Sequence, residues 1–201
     1  MPEMTGMPGM AAMPSGWDAG HAAAVFGMWA AMMIVMMLPG VLPVLVARRA
    51  LFGLGYFSVW TGFAAGATAL QWGLERAGAV SPATALNSAP LAALAIAAIG
   101  IYQLSPLKSA CLLHCRAAST RDADAAGAGT RMRSGLRHGV SCLGCCWALM
   151  LLLFVGGAMN LVWIGALTLF VLAEKIIPRP LLLARAAGVA LIVFGTAARL
   201  R

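Results

Sequence analysis

The sequence predicts an all-α integral membrane protein of about six transmembrane helices, in one polytopic domain, and three observations carry that expectation. Charged residues make up 10% of the chain and hydrophobic ones 62%, whereas a soluble domain is about 25% charged. The mean hydropathy is +0.89. The apolar runs are interrupted by short basic or Pro/Gly-containing segments, and most approach the roughly 20 residues that a helix needs to cross a bilayer. In a chain of 201 residues, no stretch outside those runs is long enough to build a soluble core.

The formal net charge is +8. Its Arg residues are scattered between apolar runs without aromatic interleaving, so the excess reads as topology information and excludes nucleic acid as a partner. The lipid bilayer is the expected surrounding. No Ser/His/Asp set, phosphate-binding Gly loop or pair of carboxylates is present, which leaves hydrolase and kinase chemistry unsupported and predicts a protein that is not an enzyme. The amino terminus lacks a basic region followed by an apolar core, so no signal peptide is expected.

Taken in order, residues 1–20 form a Met-rich tail. Met1, Met4, Met7, Met10 and Met13 recur at every third position among Pro and Gly residues that oppose a helix. In polyproline II, with about 3 residues per turn, their thioethers share one side. Thioethers are soft ligands that select Cu(I); a low-complexity tail is the plain alternative. The first span is expected over residues 21–47. Met28, Met32 and Met36 recur there at i, i+4 and i+8 and so form a stripe, and Pro39 and Pro43 predict a kink beside a cavity. Packing is the plain reading of such a stripe, and a sulfur path for a soft ion is the functional one. His21, at its outer end, is a further possible donor.

Arg48-Arg49 closes that span. The second, residues 51–74, carries Gly62, Gly66 and Ala69 near one face for close helix contact. A linker with Ser81-Pro82 leads to the third span, residues 89–107. A polar connection over residues 117–138 follows, and its Asp122, Asp124, Arg121, Arg131 and Arg133 cannot be buried in an apolar core. The fourth span is expected from Gly139 to Val155, with Cys142 at its amino terminus. Gly156-Gly157 and Asn160 mark a tight turn into a fifth, residues 159–173, both short enough to form a re-entrant pair instead. The sixth is residues 181–198. Two three-helix halves would fit this count. Glu174, near the membrane boundary, is expected to pair with Lys175 or Arg185.

Most of the 14 Lys and Arg residues fall in the loops that share a side with 117–138. The positive-inside pattern therefore places the amino terminus outside and that loop in the cytoplasm. All five cysteines lie at its two ends, in Cys111-Leu-Leu-His-Cys115 and Cys142-Leu-Gly-Cys145-Cys146-Trp147. Reducing cytoplasm favours ligands or redox groups over structural disulfides. Cys111 and Cys115 share one helix face at i, i+4, and Cys142 and Cys145 share another at i, i+3. The two pairs could present four sulfurs to one ion, with Cys146, His114 and His138 as spare donors. Thiolate sets take Cu(I), Zn(II) or iron–sulfur clusters; the plain alternative is that small, polarisable cysteines fill helix contacts.

The segments Tyr102-Gln-Leu-Ser-Pro-Leu-Lys108, Cys111-Leu-Leu-His-Cys-Arg116, Gly139-Val-Ser-Cys-Leu-Gly-Cys-Cys-Trp-Ala-Leu-Met150, Met159-Asn160-Leu-Val-Trp163 and Glu174-Lys175 resemble a bacterial domain-of-unknown-function family of predicted metal-binding integral membrane proteins. Met32-Met33 to Pro39 and Gly55-Tyr56 to Trp60 resemble it as well. The resemblance covers most of the chain from the first span onward and implies metal binding at the matched cysteines, in a bacterial inner membrane. A looser similarity, at the level of fold, is to membrane electron carriers of the cytochrome c biogenesis type.

One function is expected first, with two alternatives. In the first, the protein handles a soft metal, Cu(I) before Zn(II): the outer Met tail captures, the stripe of Met28, Met32 and Met36 conducts, the inner thiols receive, and a metallochaperone or membrane cuproenzyme is the partner. In the second, a cysteine pair carries electrons by thiol–disulfide exchange. The third is a non-transporting subunit with a structural Zn(II) site.

Overall fold

The computed structural model describes residues 17–81, 85–121 and 127–199. The five methionines of the tail, part of the Ser81-Pro82 linker and residues 122–126 of the basic loop lie outside the described residues. Seven helices make up the described chain, with no strand beyond one isolated bridge between Val80 and Leu86.

Helix α1 (Ala19–Arg76) starts at Asp18, whose carboxylate accepts the His21 backbone N–H at 2.7 Å as an N-cap. It runs as one element in sequence yet reverses direction. Trp29 Nε1 donates to Gln71 Oε1 at 2.8 Å, and Trp17 Nε1 to Glu75 Oε2 at 2.6 Å, whereas a straight helix would hold Trp29 and Gln71 about 63 Å apart at 1.5 Å per residue. The two arms, Ala19–Val46 and Ala50–Arg76, are thus antiparallel, and the turn lies around residues 47–49. They correspond to the first two expected spans. Gly78, at φ +66°, ends the second arm in a conformation that favours glycine.

Helix α2 (Ala89–Leu104) begins with Pro90 in its first turn. Ser105 is extended, at ψ 149°, as a residue before proline prefers, and Pro106 opens α3 (Pro106–Arg121) at an angle of 61° to α2. Helix α4 (Ala128–Leu151) leads into the short α5 (Leu153–Gly156). Gly157 turns the chain at φ +84°. Asn160 then caps α6 (Leu161–Ile176), its side chain accepting the N–H groups of Val162 and Trp163 at 3.1 and 3.2 Å. Helix α7 (Pro180–Arg199) completes the bundle.

Two close-packed pairs organise these helices. Against the second arm of α1, α4 presents Gly135 and Gly139, where an added Cβ would run into the Phe52 carbonyl and into Val59 and Tyr56. Gly55 faces the α4 backbone at Met132 in return. Helix α2 meets α7 in the same way: a Cβ on Gly100 would lie 2.8 Å from the Gly188 carbonyl, and one on Gly188 would lie 2.9 Å from that of Gly100. Small residues at crossing points let backbones approach, as in helix association within membranes. Helix α3 lies against α4.

Four segments are long and apolar enough to cross a membrane: the two arms of α1, Ala128–Gly156 and Pro180–Arg199. The bent pair Ala89–Leu104 and Pro106–Arg116 is a fifth if it acts as one broken span. Helix α6, at 16 residues, reaches about 24 Å, short of a hydrocarbon core of about 30 Å. Large exposed apolar side chains such as Val46, Leu161, Val162 and Phe194 line the outside of the bundle.

Two expectations are corrected. Helix α4 begins at Ala128, not near Gly139, because Gly135, His138 and Gly139 form a buried face against α1 that repays helix formation in a polar stretch. Cys142 consequently lies past the middle of α4 and not at its amino terminus, so the helix dipole gives it no first-turn stabilisation. The partner of Glu174 is neither Lys175 nor Arg185 but Lys108, at 2.7 Å, with both side chains almost fully enclosed. The bend at Ser105-Pro106 directs α3 across the end of α6, and that is what brings the two charges together.

Candidate metal centre

Helix α3 supplies Cys115 and helix α4 supplies Cys142 and Cys145. Their three sulfurs lie within 4.8 Å of one another and all three residues are buried. The two cysteine motifs, far apart in sequence, therefore meet. Gly144 makes room for it: an added Cβ there would come within 2.7 Å of Cys111 Sγ and would displace that side chain. Tyr102, whose hydroxyl donates to the Gly144 carbonyl, stacks edge-on to Trp147 with ring centroids 5.1 Å apart and packs beside the same contact.

Cys142 is the centre of the group. Its sulfur makes a 3.1 Å hydrogen bond with the Tyr56 hydroxyl and accepts one from Lys175 Nζ at 3.2 Å. Its carbonyl accepts the thiols of Cys145 at 3.1 Å and Cys146 at 2.9 Å. All five cysteines are free thiols. Lys175 Nζ also comes to 3.8 Å from Met37 Sδ on the first arm of α1. An ammonium directed at a sulfur supplies the positive charge that offsets a bound thiolate.

The end of α6 that carries Lys175 is held from α3. Residues 108, 112 and 116 follow one another at i, i+4 and i+8 on one face of that helix. Lys108 pairs with Glu174, whose other oxygen accepts Gln103 Nε2 at 3.4 Å. Leu112 is fully buried. Arg116 donates to the last carbonyls of α6, at 3.1 Å to Glu174 O and also to Lys175 O, which satisfies orphan acceptors at a helix carboxyl end. The helix that supplies Cys115 thus also sets the position of Lys175.

The other sequence-level candidates fall outside the three-sulfur group. Cys111 is half-buried at the edge, against Gly144, and Cys146 is fully buried with its thiol turned to the Cys142 carbonyl. His114 is exposed on α3. His138 is buried between the rings of Phe52 and Tyr56, at centroid distances of 5.7 and 5.6 Å, and braces the tyrosine that reaches Cys142. Met28 and Met32 are half-buried and Met36 is buried. The methionine nearest the group is Met37, whose sulfur lies 3.8 Å from the Lys175 ammonium that contacts Cys142; it shares the core face of α1 with Trp29 and Met33.

Tyr56, Lys175 and Met37 were not among the residues that sequence reasoning assigned to the site. Met37 was legible in part, since Trp29, Met33 and Met37 are themselves an i, i+4, i+8 series. Lys175 was hidden by its neighbour Glu174, which looked like its partner.

A helical bundle with segments long and apolar enough to cross a membrane, closed around three buried thiols, defines a helical protein with a candidate site for a soft metal ion. The family is more particular: the chain belongs to the PpoB2 copper chaperone family, whose model matches residues 26–198. That match covers the chain from the early part of α1 to the last turn of α7, and its description names copper where the donor chemistry alone leaves the metal open. No curated protein and no solved structure matches the chain.

Proposed function

We propose that this protein is a multi-pass bacterial inner-membrane copper carrier that binds one Cu(I) at Cys115, Cys142 and Cys145 and hands it to a metallochaperone or a membrane cuproenzyme, without catalysing a reaction. The observation that carries the proposal is the meeting of three buried sulfurs from two helices within 4.8 Å, in a member of a copper chaperone family. Three thiolates match the soft, low-coordinate preference of Cu(I), whereas a closed structural Zn(II) site takes four ligands. In this reading copper is cargo. In the copper-free site Lys175 supplies a positive charge beside the Cys142 sulfur, and Tyr56 orients that sulfur.

For topology we propose six crossings with the amino terminus outside, counting the two arms of α1, the bent α2–α3 pair, α4, α7 and the short α6, whose mismatch is taken up by local thinning of the bilayer and snorkelling of its flanking charges. Support comes from the packing, which gathers Met132 and Gly135 beside Phe52 and Gly55, and Lys108 and Arg116 beside Glu174 and Lys175. These segments adjoin the most basic loops, and that is the end the positive-inside rule assigns to the cytoplasm. The Met-rich tail then faces the opposite compartment as a capture segment.

The test is anaerobic Cu(I) titration of detergent-purified protein against a chromophoric chelator, comparing wild type with Cys115→Ser and Cys142→Ser. The expected result is loss of the same single tight equivalent in each variant. Unchanged tight stoichiometry in both would overturn the assignment.

A further inference from the structure

We propose that Lys175 is a built-in placeholder cation, which occupies the copper-free site and withdraws when Cu(I) arrives, and that Met37 is the additional sulfur ligand its withdrawal uncovers. The proposal rests on the copper reading above and adds to it two residues on two further helix segments.

The geometry places the Lys175 ammonium 3.2 Å from Cys142 Sγ and 3.8 Å from Met37 Sδ, between a thiol of the three-sulfur group and a thioether. Among the described residues no carboxylate lies within salt-bridge distance of it, and the neighbouring Glu174 is committed to Lys108. A cation near the interior of an apolar bundle is costly unless something there takes its charge, and here sulfur is what it faces. Sulfur is a poor acceptor for a hard ammonium and a good ligand for a soft ion, so the arrangement suits an exchange of one cation for the other.

The seat that the ammonium occupies is made by a glycine. The Lys175 side chain lies in the space left by Gly40: an added Cβ would fall 2.8 Å from its Cδ and 2.9 Å from its Nζ. Gly40 stands between Pro39 and Pro43, the two prolines inside the helix. Lys175 sits in the last turn of α6, beside the exposed Ile176, so its long stem can swing the ammonium toward the end of the bundle while the backbone stays clamped by Arg116. Once the ammonium has left, Met37 Sδ and Cys142 Sγ are the two sulfurs bordering the space it occupied. A thioether adds a neutral soft donor that Cu(I) accepts and Zn(II) does not favour.

Two variants test this, each replacing the side chain with an uncharged one of comparable size. Lys175→Gln removes the competing charge. Cu(I) affinity, measured by chelator competition, is expected to rise by about tenfold, within the usual range for two binding events that oppose one another. A fall in affinity would mean that Lys175 stabilises the loaded state and would overturn the placeholder role. For Met37, protein labelled with selenomethionine and loaded with one Cu(I) is expected to show Cu–Se scattering at the copper edge that Met37→Leu abolishes. Scattering that survives Met37→Leu, or none in the parent, would overturn the ligand role. Both outcomes are separable from failure of the copper site itself, which Cys115→Ser reports.

Discussion

Breaking the Lys108–Glu174 pair gives the sharpest test of how the site is held. Lys108→Met removes an ammonium 2.7 Å from a carboxylate, in a pair whose side chains are each 1% exposed. At an effective dielectric of about 20, the lost attraction is about 6 kcal/mol gross. The desolvation that the lysine no longer suffers offsets part of it, and breaking one side of a buried pair costs about 3–5 kcal/mol net. For a chain of this size each kcal/mol moves the melting temperature by about 2–4 °C, so the single variant is expected to melt about 10 °C lower. Lys108→Met with Glu174→Leu leaves no orphaned charge and is expected to recover most of the loss. The assay is thermal denaturation in detergent micelles, under reducing conditions, followed by far-ultraviolet circular dichroism. A single-variant shift under about 3 °C, or a double variant that melts as low as the two single losses added together, would refute the reasoning.

Three further outcomes follow from the packing and the site. Gly188→Ala places a Cβ 2.9 Å from the Gly100 carbonyl and is expected to cost about 1–3 kcal/mol by overpacking, while Gly66→Ala, which meets nothing within 4 Å, is expected to be neutral or to gain up to about 1 kcal/mol; melting of the pair checks both. Tyr56→Phe removes the hydrogen bond to Cys142 Sγ and is expected to lower stability by about 1 kcal/mol, read in the same melt. Free Cu(I) at about 100 times its dissociation constant is expected to stabilise the wild type by about 2.7 kcal/mol, and Cys142→Ser is expected to lose that increment; an equal increment in both would place copper elsewhere.

Much of the bundle was legible because hydropathy and punctuation agree. Arg48-Arg49 marks the reversal of α1, Ser105-Pro106 the bend before α3, and Gly157 with Asn160 the turn into α6. The meeting of the two cysteine motifs was legible too, since helices joined by a short loop lie side by side. The start of α4 was not. Residues 128–138 are rich in Arg, Gly and Ser and look like loop by composition, yet Gly135 and Gly139 are there to admit the α1 backbone, a reason visible only once the partner helix is known. Periodicity picks out the 28/32/36 face, while the face that Trp29 anchors carries Met37 to the Lys175 ammonium beside Cys142. Periodicity shows that a helix has faces and leaves open which one a distant helix will cover. Glu174 and Lys175 point the same limit: sequence proximity suggested one pair, and the bundle instead gives Glu174 to Lys108 and Lys175 to Cys142.

The claim on which all of this depends is that one copper ion is shared between α3 and α4. Extended X-ray absorption at the copper edge, on protein loaded with a single equivalent, measures it most directly. At least three sulfurs are predicted around copper, with one lost in Cys115→Ser and one in Cys142→Ser. A sulfur shell that either substitution leaves unchanged would contradict it.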